Sequence, residues 1–138
     1  MNEDLQQKYL EYQQLTNQLN YGQQQILQLE KQYMELDTLN NALEDVKNTK
    51  EGTEIIASLG SGLYIKTSLK SNSKIIMHVG ANTNVTKTPD DAKKVIENQM
   101  EQLKKIIGDM RTDLQKGVVR IQQLQKELAK KQQGEKWN

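Results

Sequence analysis

The chain has no cysteine and no phenylalanine, and its 138 residues include only one proline, one histidine and one tryptophan. Each absence removes a class of protein. Without cysteine there is no disulfide scaffold, zinc ribbon, thiol nucleophile or iron–sulfur site. No run approaches 18 consecutive apolar residues, so no transmembrane span is expected. Met1-Asn2-Glu3-Asp4 is acidic and leads into Gln-rich sequence, the opposite of a basic region followed by an apolar one, so a cytoplasmic location is expected. Hydrophobic residues make up 35% and aromatics 4%, too little to fill a self-contained globular core. A single proline and a net charge of +1 are equally unlike a disordered chain. The same neutral balance leaves no electrostatic footprint for nucleic acid. What remains is an elongated, mostly helical architecture.

What is present is patterned. Lys and Arg against Asp and Glu give 3 − 8 = −5 for residues 1–48, 5 − 2 = +3 for 49–89 and 11 − 8 = +3 for 90–138, a distribution that favours pairing of the first third with the last. Residues 4–48 carry a seven-residue series, Leu5, Tyr12, Leu19, Ile26 and Tyr33, ending at Asn40. A second series follows as Leu15, Gly22, Leu29, Leu36 and Leu43. From Ile96 to Leu128, steps of four and three connect Met100, Leu103, Ile107, Met110, Leu114, Gly117, Ile121 and Leu124. Both segments therefore read as coiled-coil helices, each roughly 65 Å long. Thr88-Pro89-Asp90-Asp91 supplies an N-cap, a first-turn proline and acids for the second helix. In an antiparallel pairing Gly22 and Gly117 fall at nearly the same level, where a thin point is expected.

Between the helices the period changes. Residues 54–59, 63–69, 74–79 and 84–88 are short β-branched runs separated by Gly60-Ser61-Gly62, Ser71-Asn72-Ser73 and Gly80-Ala81-Asn82. They predict two hairpins. Leu63, Ile65, Thr67 and Leu69 alternate with Tyr64, Lys66 and Ser68, so one face of the second run is expected to be buried and the other wet. Hairpins this small are marginal alone and have open edges, so they need a partner. The fold class is α+β, mostly α: a long antiparallel two-helix coiled coil with two β-hairpins inserted, one domain over 1–138 (helix 4–48, hairpins 54–88, helix 89–133).

That order, with Leu59-Gly60-x-Gly62-x-x-Ile65-x-x-x-Leu69, Ile76-x-x-Val79-Gly80 and Val85-x-Lys87-x-x-x-Asp91-Ala92, resembles the α-type subunits of the prefoldin family. One departure is Ala57-Ser58, where the family often has a Val-Pro step. The resemblance implies a hexamer of two α-type and four β-type subunits joined through their hairpins. It also implies an ATP-independent holdase that captures unfolded polypeptides and hands them to a group II chaperonin. The residues expected to carry oligomerisation are Ile55, Leu59, Leu63, Ile65, Leu69, Ile76, Val79 and Val85. Those expected to bind clients are Leu5, Tyr9, Leu10, Tyr12, Ile121, Leu124 and Leu128, with Trp137 nearby. Lys126, Lys130, Lys131 and Lys136 form a basic tip, which reads first as a solvated helix end complementing the C-terminal macrodipole and alternatively as a dock for an acidic chaperonin surface.

Nothing points to an enzyme, a cofactor, a metal or a membrane partner. His78 sits on a strand run between Met77 and Val79, and without cysteine it cannot close a zinc site. Gly60-Ser61-Gly62 has neither the spacing nor the lysine of a phosphate loop. The alternatives to a holdase are a filament-forming structural protein built from the same hairpins, or a coiled-coil tether.

Overall fold

Helix formation follows the heptads and their caps. In the computed structural model, which describes residues 3–137 and side chains as far as Lys131, α1 spans Glu3–Asn48 and α2 spans Pro89–Trp137. The side chains of Lys136 and Trp137 lie outside the described residues. The expected start of α2 is present: the Asp91 N–H donates to Thr88 Oγ1 at 3.1 Å and the Ala92 N–H to the Thr88 carbonyl at 2.9 Å. Pro89, at the first helical position, has no N–H to leave unsatisfied.

Four strands lie between the helices: β1 (Glu54–Gly60), β2 (Leu63–Ser68), β3 (Ile75–Gly80) and β4 (Thr83–Lys87). They form two separate antiparallel two-stranded sheets, β1 with β2 and β3 with β4. Each turn is a two-residue loop with both residues at positive φ, Ser61 (52°) with Gly62 (80°) and Ala81 (48°) with Asn82 (57°). Positive φ at both central positions matches the right-handed twist of the strands. Gly60 and Gly80, at φ 94° and 101°, accompany a register shift just before each turn.

The chain divides into two compact units. In the unit Tyr33–Gln102, Leu43, Ala92, Ile96 and Met100 are buried together, with Tyr33, Leu36, Ile75 and Met77 packed against them. The second hairpin is thus held to the helix bases by alternate residues of β3. The first is tied at its root: the Gly52 N–H donates to the Leu69 carbonyl at 2.7 Å, the Leu69 N–H to the Thr53 carbonyl at 2.9 Å, and Asn72 Nδ2 to the Thr49 carbonyl at 3.1 Å. Asn40 breaks the seam with a polar group. Its Nδ2 donates to Glu97 Oε1 at 3.4 Å, while its buried Oδ1 has no donor.

In the other unit, α1 up to Gln32 and α2 from Leu103 bury Leu5, Ile26, Ile107, Leu124 and Leu128. Of the two glycines placed at nearly the same level, one makes a close approach and the other does not. Gly22 is buried, but it faces Leu114, whose Cδ2 would lie 2.7 Å from a methyl at that position; a methyl on Gly117 would meet nothing within 4 Å. The close approach is a leucine seated on a glycine, because the helices interlock knob into hole instead of meeting residue for residue.

The burial expected for one face of β2 is also corrected. Leu63, Ile65 and Thr67 are exposed, and only Leu69 is half-buried. The reason is topological: β1 and β2 form an isolated two-stranded sheet with no second layer in this chain to cover that face.

Candidate functional site

The cross-strand register sorts the hairpin side chains. Ile55 opposite Thr67 and Ala57 opposite Ile65 share one face of the first hairpin; Ile56 opposite Lys66 and Ser58 opposite Tyr64 share the other. In the second hairpin Ile75 opposite Lys87 and Met77 opposite Val85 form one face, and the Ile75 and Met77 side chains pack on the helices. Ile76 opposite Thr86 and His78 opposite Asn84 lie on the other.

Both hairpins therefore present apolar groups that the chain itself does not cover. Leu63 is 64% exposed, Tyr64 65% and Ile76 74%; Ile56, Leu59, Ile65 and Val79 are also exposed. Of the residues expected to carry oligomerisation, Leu59, Leu63, Ile65, Ile76 and Val79 are open, while Ile55, Leu69 and Val85 are half-buried. Tyr64 and Ile56, exposed on the opposite face of the first hairpin from Ile65, are not among the residues expected to carry oligomerisation. Alternation assigns Tyr64 to the wet face, and nothing in the sequence shows that both faces of this sheet are open. Seven exposed large apolar groups on so small a β-structure make the hairpins the candidate interaction region.

His78 is accounted for on the same hairpin: its Nδ1–H donates to Asn84 Oδ1 at 3.0 Å across the strand pair. Among the described residues, no group of three or more His, Asp or Glu side chains could hold a metal ion, and no helix is long and apolar enough to cross a membrane.

The unit containing Leu5 and Leu128 shows a different arrangement of the residues expected to bind clients. Leu5 is 1% exposed, Leu124 is fully buried and Leu128 is buried, so these three close the seam in this structure. Leu10 is exposed, and Tyr9, Tyr12 and Ile121 are half-buried. Tyr9 and Leu10 line a shallow hollow with Gln6 and Gln13. A second hollow on α2 is lined by Val119, Gln122, Gln123, Gln125, Lys126 and Ala129.

Ion pairs and a polar contact flank the closed seam. Glu11 accepts from Arg120 through both carboxylate oxygens, at 2.8 and 3.0 Å. Lys8 lies 3.1 Å from Glu127, Lys131 pairs with Asp4, and Gln125 Nε2 donates to the Tyr12 hydroxyl at 3.3 Å. The Lys131 ammonium, with Lys8 beside it, holds the Asp4 carboxyl below its usual range, and the Arg120 guanidinium does the same for Glu11. Of the basic tip, Lys131 is thus engaged by Asp4, whereas Lys126 and Lys130 are exposed.

Comparison with known proteins places this arrangement. The family model described as "Prefoldin subunit" matches residues 15–134. The prefoldin subunit alpha of Methanococcus vannielii is 27% identical over 131 residues, covering 95% of this chain and 88% of that protein. That of Thermofilum pendens is 28% identical over 94 residues, covering 68% of this chain and 73% of that protein. Among solved structures, filamentous PFD from Methanocaldococcus jannaschii superposes with a TM-score of 0.75 at 18% identity, covering 86% of this chain and 98% of that one. With two heptad helices, two inserted hairpins and an uncovered apolar β surface, the chain belongs to the prefoldin family and within it resembles the archaeal α subunits.

Proposed function

We propose that this chain is the α-type component of an ATP-independent holdase that assembles through its hairpins with β-type subunits, two α to four β. In this reading it works in the cytoplasm, captures unfolded polypeptides and passes them to a group II chaperonin. The observation that supports it is the exposure of large apolar groups on both hairpins, among them Leu63, Tyr64, Ile65 and Ile76, which no other part of the described chain covers. Fully burying each such side chain is worth about 1.5–3 kcal/mol, so several together favour association strongly.

Capture falls to the uncovered groups in the unit containing Leu5 and Leu128. Leu10 and the half-buried Tyr9, Tyr12 and Ile121 are available as the chain stands; Leu5, Leu124 and Leu128 would engage a client only if the seam there opened. No step in this function is catalytic, and none requires a cofactor. Lys126 and Lys130 remain the candidates for docking on an acidic chaperonin, with Lys131 partly neutralised by Asp4.

The test combines mass and activity. Mixed with a β-type subunit, the chain should give a discrete hexamer in native mass spectrometry, and that complex should suppress aggregation of a chemically denatured protein equally with and without ATP. A second reading has its own support, because one similar solved structure is described as filamentous. If this chain alone forms filaments and the mixture gives no hexamer, the structural reading replaces the holdase. Selective binding to one folded partner, with no preference for denatured chains, would mark a tether.

A further inference from the structure

The ion pairs that join α1 to α2 are unevenly placed. Among the described residues, three of the six lie within residues 4–11 and 120–131: Asp4 with Lys131, Lys8 with Glu127 and Glu11 with Arg120. The next, Glu30 with Arg111, comes only after a stretch of α1 from Tyr12 to Leu29 that has no charged side chain. The outer two pairs are one network. Lys8 Nζ lies 3.1 Å from Glu127 Oε2 and 3.7 Å from Asp4 Oδ2, and Lys131 pairs with that same Asp4 oxygen. Lys8 is also unusual for its position. It stands seven residues before Leu15, in line with the second apolar series of α1, and its side chain is only 23% exposed. The seam that buries Leu5, Leu124 and Leu128 therefore contains a lysine.

An ammonium drawn into an apolar seam is stable there only while carboxylates face it. Without Asp4 and Glu127 the closed seam would hold an uncompensated charge, a larger loss than that of two ordinary surface pairs. Separation of the helix ends returns Lys8 to water, and it uncovers the three leucines in the same movement. We propose that Glu127, Lys8, Asp4 and Lys131 form a latch that holds the ends of α1 and α2 together and withholds Leu5, Leu124 and Leu128 from clients until it is released. The inference rests on the holdase reading and adds a control to it: capture follows the open fraction of the helix ends. Glu11, held by Arg120 through both carboxylate oxygens, sets the inner limit of the opening.

Salt separates this closure from a purely apolar one. Burial of leucines alone does not weaken as salt is added, whereas a closure that depends on partly exposed charges does.

The experiment uses the full chain assembled with its β-type subunit. Hydrogen exchange read by mass spectrometry reports opening, and fluorescently labelled, reduced and carbamidomethylated α-lactalbumin serves as a permanently unfolded probe. In the variant Asp4→Asn/Glu127→Gln, amides of residues 3–12 and 121–131 should exchange at least about tenfold faster, while those of residues 33–48 keep their rates. Its affinity for the probe should rise about three- to tenfold, as the competent fraction grows. The unaltered complex should move the same way between about 0.05 and 0.5 M sodium chloride. Lys8→Met completes the apolar seam and should do the opposite, with slower exchange at both salt concentrations and weaker probe binding. Native mass and far-ultraviolet circular dichroism confirm that each variant assembles and stays helical. Unchanged exchange in Asp4→Asn/Glu127→Gln overturns the latch, and faster exchange with unchanged affinity overturns its control of capture; both leave the holdase reading intact. If neither the unaltered complex nor this variant binds the probe, the holdase reading falls and the control of capture with it, and the exchange rates still decide whether the four charges hold the ends closed.

Discussion

Two glycines in the same heptad frame have opposite surroundings. Gly117 has open space where a side chain would grow, so Gly117→Ala gains helix propensity without a clash and should stabilise by about 0.5–1 kcal/mol. At Gly22 the same methyl meets Leu114, and the cost of overpacking, about 1–3 kcal/mol, should outweigh the backbone gain. Thermal unfolding followed by circular dichroism should therefore show Tm rising for Gly117→Ala and falling for Gly22→Ala. Equal rises would mean that Leu114 yields freely. The sequence places both glycines on the seam but cannot say which residue each one faces, because that depends on an axial stagger of less than one turn. Asn40 is a related case. Its heptad position is legible, but the lack of a donor for its buried Oδ1 emerges only from the packing around it. Polar groups at such positions are known to select one register at some cost in stability.

At the level of elements, the helices and strands were legible because their signals are local and repeated. The Thr88-Pro89 cap, the unbroken alternation from Ile96 to Leu128 and the β-branched runs between glycines each specify backbone without reference to distant residues. Charge partners are not local. The asymmetry between the two ends of the chain predicts that α1 and α2 pair, but not that Glu11 meets Arg120, that Glu44 meets Lys93 at 2.5 Å, or that Lys47 meets Asp90 at 3.0 Å. These pairs give the helix pairing a pH dependence of defined sign. Arg120 lowers the pKa of Glu11, Lys93 with Asn48 lowers that of Glu44, and Lys131 lowers that of Asp4. Their contribution is therefore complete above the unfolded carboxylate values of about 3.9–4.3 and is lost as pH falls through the lower folded values. Lys8 and Lys47 are raised, by Glu127 and Asp90 respectively, so their share is complete below about 10.4 and is lost as pH rises through the folded values. Tm should be flat across neutral pH and decline on both sides. Glu11→Gln should lower the plateau and soften the acid decline; an unchanged acid limb would show that Glu11 contributes nothing to it.

For the whole molecule, the fold leaves part of its apolar surface for other chains. The scarcity of apolar residues made assembly an expectation, but the alternation in β2 suggested a buried face where the chain leaves both open. No single-chain pattern distinguishes a face covered by its own chain from one covered by a partner. The double variant Leu63→Lys/Ile76→Lys tests the distinction. Both side chains are exposed, so the substitutions should alter the stability of the isolated chain by less than about 0.5 kcal/mol while preventing hexamer formation. Circular dichroism and sedimentation velocity read the two effects separately, and a hexamer of normal mass would remove these residues from the interface. The cross-helix contacts also have a kinetic consequence. The sequence separation between partners grows from 49 residues for Glu44 with Lys93, through 81 for Glu30 with Arg111 and 109 for Glu11 with Arg120, to 127 for Asp4 with Lys131. Closing a longer loop costs more entropy unless the pairs nearer the turn have already formed. Folding should therefore proceed like a zip from the hairpins, with Leu5, Leu124 and Leu128 the last to close and the first to open.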